Sequence, residues 1–310
     1  MTTNPTPTNP TPTNQRPASA AFANPTAARS TAASQALANQ RPAVEDGPLA
    51  RLRWALADGW TVARRDLIHW TAQPMTIVFG VVFPVMITLA FGYLFGGAVD
   101  VPDGADYFAF LMPGMYGMTM LFGLGATMVA VTTDLSRGVT DRFRSMPMAP
   151  SAVLLGRAVA DLLTSVLMLA GMLACGLAVG WRPDDPLGAL GAVGLLLLLR
   201  FALLWAGIYL GLLTKEPGAI TAIQTLEFPI GFLSNAFVAP GTMPGWLGAI
   251  AEWNPLSSTV AAARQLFGNP GWGGDSWVAQ HPVQMAVVWP LLITAVFFTL
   301  SVRLYQRLDR

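Results

Sequence analysis

Three charged residues stand inside long apolar runs of this chain: Asp161 in GRAVADLLTSVLMLAG, Arg200 in LLLLLRFALLW and Glu227 in TLEFPIGFL. A charge in such a run is costly to bury, so it faces the interior of a bundle, pairs with an opposite charge, or serves a solute or a reaction. Two carboxylates and a guanidinium can bind a polar group or clamp helices together. Asp161 lies about eight residues, roughly 12 Å, in from one end of its run, and Arg200 about thirteen residues, roughly 19 Å, from the same side. The short connection WRPDDPLG joins the two runs and makes them neighbours. An Asp161–Arg200 pair is therefore expected, with Glu227, at the depth of Asp161, as the competing partner. A clamp with no contact to cargo and a role in transport both remain open for these charges.

A second cluster is the segment RGVTDRFRSMPMAP, residues 137–150, between two apolar runs. On a helix, Arg137, Asp141 and Arg144 fall at i, i+4 and i+7 on one face. Phe143, with Arg142 beside it, is an anchor of the kind that dominates protein interfaces. Docking of a partner and a plain positive loop against anionic lipid both fit these residues. Catalytic and metal chemistry find less support. The two histidines, His69 and His281, have no metal-ligand spacing, and no HExxH or paired-carboxylate motif occurs. A lipid-modifying membrane enzyme would need such groups, and a channel would need a ring of acids or carbonyls, which is also missing from the pattern. The single cysteine, Cys175, cannot form an internal disulfide and reads as a small packing residue.

The elements that position these groups follow from composition. Of 310 residues, 53% are hydrophobic and 11% charged, against about 25% charged in soluble domains. The expectation is an all-α membrane protein. A net charge of +1 with no basic cluster interleaved with aromatics gives no sign of nucleic acid. Residues 1–47, with TNPTP twice and hardly an aliphatic side chain, read as a disordered tail without the apolar core of a signal peptide. Residues 48–74 alternate Leu and Trp with Arg at helical spacing and are too charged to span, so an amphipathic helix in the membrane plane is expected. Residues 75–310 form the spanning domain, with six spans expected near 75–96, 108–131, 154–179, 188–213, 219–239 and 283–303. Arg51, Arg53, Arg64, Arg65, Arg137, Arg142, Arg144, Lys215, Arg303, Arg307 and Arg310 fall on one side. Asp100, Asp103, Asp106, Asp184, Asp185, Glu252 and Asp275 fall on the other, with Arg182 and Arg264 as the exceptions. The positive-inside rule then puts both termini in the cytoplasm. Between spans five and six, residues 240–282 contain two apolar stretches of about ten residues, too short to cross. Paired re-entrant helices, or a simple outer cap, are the two readings.

Two segments carry a family resemblance: DLSRGVTDRFRSMPMAPSAVLLGRAVADLL and EFPIGFLSNAFVAPGTMPGWLGAIAEWNPLSSTVAAARQLF. With the interfacial helix and six spans, they resemble the permease subunits of ABC-2 type transporters, most closely the daunorubicin-resistance type of bacterial drug-efflux permeases, over about residues 50–310. The resemblance implies export of a hydrophobic or amphiphilic drug or lipid from the bacterial cell across the plasma membrane. It implies that the segment around Arg137, Asp141, Arg142, Phe143 and Arg144 docks on a separate ATPase. It also implies a second permease chain, a copy of this one, to complete the unit. A phosphate-binding loop needs a lysine in GxxxxGK[ST], and the single lysine sits in LLTKEP, so ATP and Mg belong to the partner and no cofactor to this chain. Alternating access between two permease chains would give an apolar path, with Phe79, Phe83, Phe228, Phe232 and Asn235 as candidates; ordinary packing is the competing role for each. GYLFG at Gly92–Gly96 and GIYLG at Gly207–Gly211 would let helices approach closely.

Overall fold

Proline opens most of the described helices. Its fixed φ suits the first helical position, where no N–H is needed, and it stops the preceding segment from running on. Helix α1 is Pro74–Phe95, α2 is Tyr107–Ser136, α3 is Pro150–Ala178, α4 is Pro186–Leu213 and α5 is Pro217–Phe232. A 3₁₀ turn, Pro240–Thr242, precedes α6, Gly245–Trp253, and α7, Pro255–Phe267; α8 is Trp277–Gln280 and α9 is Pro282–Arg307. The computed structural model describes residues 74–97, 106–137, 150–214, 216–271, 273–274 and 276–307. The expected tail, all but the last residue of the expected interfacial helix, and Asp141, Arg142, Phe143 and Arg144 lie outside the described residues. All regular structure among the described residues is helical.

Four helices among the described residues are long and apolar enough to cross a membrane: α2, the Leu154–Ala178 part of α3, α4 and α9. They coincide with the expected spans two, three, four and six. Helix α1 has 22 residues, or about 33 Å at a helical rise. The expected fifth span is shorter than its apolar run. Helix α5 stops at Phe232 after 16 residues, about 24 Å against a hydrocarbon core of about 30 Å.

The reason for that early stop is a set of competing hydrogen bonds. The N–H groups of Asn235 and Ala236, which would continue the ladder, bond instead to Ser257 Oγ at 3.0 Å and Ser234 Oγ at 3.2 Å. Short polar side chains offer the backbone this alternative to helix. The freed carbonyls of Ile230 and Leu233 accept from the Asn254 amide at 3.1 and 2.7 Å. Asn254 Oδ1 in turn caps α7 through Leu256 N at 2.9 Å. One asparagine thus closes α5 and opens α7.

Helices α2 and α4 form the centre. Helix α4 lies against α2, α7 and α9, and α2 against α7, α3, α5 and α1. Gly207 and Gly211 make the α2–α4 contact possible: a Cβ on them would meet Leu124 O at 2.8 Å and Met128 O at 3.0 Å. The GIYLG spacing therefore packs two helices of one chain. Helix α7, at 13 residues, is too short to span, yet it buries Leu256, Val260, Ala263 and Phe267 among α2, α4 and α9. Helix α6, at 9 residues, leaves Trp246, Ile250 and Trp253 exposed.

Two apolar clusters fill the bundle. One gathers Phe110, Met112, Met115 and Tyr116 of α2 with Trp181, Leu196 and Phe267. The other gathers Leu154, Trp205, Ile208, Leu212 and Tyr305, with Phe298 edge-on to Trp205 at 4.7 Å. The connection between α3 and α4 is held by Asp185, whose carboxylate caps α4 through Leu187 N at 3.1 Å and Gly188 N at 2.7 Å. That cap fixes the angle at which α4 returns beside α3, and hence which of their residues face each other.

Candidate functional site

Arg200 projects from α4 between α2 and α3 and is 2% exposed. Its Nη2 donates to Asp161 Oδ2 at 3.0 Å and to Thr127 Oγ1 at 2.7 Å, and its Nε donates to Ser165 Oγ at 2.7 Å. Thr127 Oγ1 also bonds Asp161 Oδ2. Ser165 stands one turn beyond Asp161 and bonds the Asp161 carbonyl at 2.8 Å. The guanidinium lies flat on the α2 backbone at Gly123, where a Cβ would come within 2.6 Å of Arg200 Cζ. Only glycine leaves that room. Arg200 Nη1 is buried and has no hydrogen-bond partner among the described residues.

Glu227 is buried on α5 and accepts from the backbone N–H of Gly125 on α2. Of the two partners weighed for Arg200 and Asp161, the structure joins them to each other, and sets Glu227 on the α2 backbone instead. An ion pair at such depth needs its remaining hydrogen-bonding capacity filled, or desolvation outweighs the attraction. Thr127 and Ser165 fill most of it.

The charges face a cavity of about 350 Å³ between α1, α2, α3, α4 and α5. Asp161, Arg200, Glu227 and Gln224 supply its polar wall, and Phe83, Phe122 and Phe228 its apolar one. The three rings touch pairwise, with centroids 6.1 Å apart for Phe83–Phe122 and Phe83–Phe228 and 5.1 Å for Phe122–Phe228. From Phe228 the rings continue through Phe232, at 6.0 Å, to Phe237, at 4.6 Å, and Phe91. A pocket with one charged side and one aromatic side accepts a molecule that is itself polar at one end.

The residues proposed for a path separate in space. Phe83 and Phe228 line this cavity, and Phe232 stands one step along the ring series. Asn235 does not belong to it: its amide bonds Ser257 O at 3.1 Å, and the residue lines a different cavity beside α7. Of Phe79 only the backbone in α1 is described. Arg137 caps the end of α2 and is exposed. Near it, Arg157 Nη1 of α3 pairs with Asp134 Oδ2 of α2 at 2.8 Å, tying together the helices that flank residues 138–149.

Sequence reasoning missed Thr127, Ser165 and Gln224, which are ordinary polar residues in apolar runs. Ser165, four residues after Asp161 and so on its face, was the one readable signal. It also passed over Arg264 as a stray outer charge. Arg264 is 1% exposed on α7. It donates from Nε to Phe110 O at 3.1 Å, from Nη1 to Asn235 O at 2.9 Å and from Nη2 to Ala236 O at 3.0 Å. Its guanidinium carbon sits 4.0 Å from the centroid of the Phe110 ring. No group of three or more metal-ligating side chains occurs among the described residues.

Comparison with known proteins gives the family. The ABC-2 type transporter family model matches residues 58–267. The chain is 32% identical over 271 residues to the daunorubicin resistance ABC transporter permease protein DrrB1 of Streptomyces coeruleorubidus, covering 83% of this chain and 93% of that protein. It is 22% identical over 208 residues to the probable doxorubicin resistance ABC transporter permease protein DrrC of Mycobacterium tuberculosis, covering 64% and 73%. A putative transport permease, ycf38, of Cyanophora paradoxa is 24% identical over 217 residues, covering 69% and 75%. An apolar helical bundle with an internal charged cavity, matched along two-thirds of its length by one family, leads to one conclusion: this chain is a membrane permease of the ABC-2 type transporter family.

Proposed function

We propose that the chain is the transmembrane subunit of an ATP-driven exporter that moves a hydrophobic or amphiphilic, drug-like or lipid-like substrate out of a bacterial cell. The observation that carries this reading is the cavity of about 350 Å³ with Phe83, Phe122 and Phe228 on one side and Asp161, Arg200 and Glu227 on the other. An amphiphile entering it would leave its apolar body on the rings and its polar end among the charges. The drug-resistance names of two relatives favour a drug-like cargo.

In this reading α1 to α5 and α9 are the six crossing segments of a plasma-membrane protein, with both termini in the cytoplasm. Helices α6 and α7 re-enter from the outer side. The segment containing Arg137, Asp141, Arg142, Phe143 and Arg144 docks on a separate ATPase, which binds ATP and Mg. A second copy of the chain completes the unit, and lipid surrounds it. No catalytic step belongs to this chain.

The route from ATPase to cavity is short. Helix α2 ends at Ser136 and α3 begins at Pro150, so a displacement of the intervening segment acts on both at once. The Asp134–Arg157 pair makes their ends move together. Farther along the same helices stand Thr127 and Asp161, both bonded to Arg200. Movement of α2 against α3 therefore changes the charged wall directly. Closure of the nucleotide subunits would open the cavity outward by this path.

The test is recovery of partners from native membranes with the intact chain and with Arg142, Phe143 and Arg144 changed to alanine. The intact chain is expected to bring down an ABC ATPase, and the altered, still-inserted chain to lose it. An intact chain that brings down no ATPase in mild detergent would sink the exporter reading.

A further inference from the structure

A second cavity, of about 270 Å³, lies beside α7 at the end of the bundle where α2 begins, and shares no lining residue with the first. Its polar wall consists of Asn235, Glu252, Ser258, Arg264, Gln265 and Asn269. That is far more than the ~10–15 Å³ needed to hold a single water, so a small organic group fits.

Several of these groups are unspent. Ser258 is 4% exposed, and its Oγ has no hydrogen-bond partner among the described residues. Asn235 uses its amide nitrogen on Ser257 O and leaves Oδ1 buried without a partner among them. Buried polar atoms of a native protein are nearly always bonded, so two orphans in one cavity ask for something that fills it. Glu252 makes no hydrogen bond or ion pair among the described residues, and its carboxylate stands beside Gly274 at the rim. A Cβ on Gly274 would lie 3.1 Å from Glu252 Oε1. Gln265 is exposed at the same rim, and its amide makes no hydrogen bond among the described residues.

Charge selects the class of ligand. Arg264 holds a positive charge in the wall with all three nitrogens committed to carbonyls, and Glu252 holds a negative one. A cation would be drawn by Glu252 but opposed by Arg264, and an anion the reverse. The unspent groups instead alternate: Asn235 Oδ1 and Glu252 accept, while Ser258 and Gln265 both donate and accept. A hydroxyl group also does both, from one atom. We infer that this cavity binds a neutral, hydroxyl-rich group, a glycosyl unit, carried either by an amphiphile or by a free sugar.

The test uses the full chain in phosphatidylcholine nanodiscs, without ATPase or nucleotide, so that its outcome is separate from the exporter reading. The probes are radiolabelled octyl β-glucoside below its micellar concentration, free glucose as competitor, and octylammonium and octyl sulfate as charged controls of equal tail. Saturable binding of octyl glucoside is expected, stronger than that of either control. Glu252→Gln and Ser258→Ala should each weaken it about tenfold, the scale of one lost hydrogen bond to a charged or buried group. Ala261→Phe, which fills the lining, should abolish it. Displacement by glucose would assign recognition to the sugar alone; binding of the glycoside without displacement would assign it to a membrane-borne glycoside. If Ala261→Phe does not fold, Glu252→Gln, at the rim, still decides. Equal binding of all three octyl probes, or octyl glucoside binding that ignores both Glu252→Gln and Ser258→Ala, would overturn the inference.

Discussion

Arg200 and Arg264 are both buried almost completely, and the chain satisfies them in opposite ways. Arg200 meets a carboxylate and two hydroxyls, all side chains, at the edge of a cavity. Arg264 meets three backbone carbonyls and the face of a ring. Side-chain partners belong to separate helices and can re-pair when those helices shift. Carbonyl partners are fixed to the backbone, so Arg264 acts as a bracket that holds the break after α5 against α2 and α7. In the proposed exporter, one arginine sits where movement would be useful and the other where a helix has been interrupted. Each solves the same desolvation problem, and the choice of partners decides whether the result can move.

The sharpest way to break this comparison is Arg264→Met. It would leave the carbonyls of Phe110, Asn235 and Ala236 without their donor, at about 1–3 kcal/mol each. The expected loss is on the order of 5 kcal/mol, seen as a collapse of the melting temperature and of membrane yield. Arg264→Lys should recover little, since an ammonium cannot present the same planar fork to three acceptors.

Arg200→Met is expected to cost somewhat less, about 3 kcal/mol, because it leaves the half-buried Asp161 without its cation. Here a second change should rescue: Asp161→Leu with Arg200→Met removes both charges and should return most of the lost stability while, in the proposed exporter, abolishing substrate-stimulated ATP hydrolysis. A double variant no more stable than the single one would mean that the pair is not the unit described.

Gly123→Ala places a methyl where the guanidinium lies, 2.6 Å from Arg200 Cζ, and should cost about 1–3 kcal/mol through overpacking. In an Arg200→Met background the penalty should shrink, which a double-mutant cycle measures directly. The smallest structural effect is expected for Glu227→Gln. The amide oxygen keeps the bond from Gly125 N, so stability should change by no more than about 1 kcal/mol. In the proposed exporter, replacing the Glu227 carboxyl by an amide should nevertheless lower stimulation by an amphiphile with an amine end more than by a neutral one. Equal effects on the two cargoes would place Glu227 with the structural residues.

Much of this was legible before any coordinates. Four spanning helices follow from apolar runs longer than the hydrocarbon core, and the prolines at 150, 186, 217, 255 and 282 mark where helices start. Asp161 and Arg200 could be set as neighbours because a short connection joins their helices. The fifth span was read too long for a definite reason. Its apolar run continues past Phe232, and composition does not reveal that Ser257 and Ser234 will take the N–H groups that would extend it. Asn235 was read as part of an apolar path for the same reason.

What the sequence determined by itself is the class of molecule, since transfer of apolar side chains out of water adds up residue by residue and needs no knowledge of contacts. It also determined that three charges must find partners, because burial of a charge is costly wherever it occurs. Only the tertiary structure decided which partners they found. Hydrogen bonding depends on distances of a few tenths of an ångström between groups 30 to 150 positions apart, as for Arg200 with Asp161 and Arg264 with Phe110. Such distances are set by how helices cross, at Gly207, Gly211 and Gly123, and the crossing exists only once the bundle is packed.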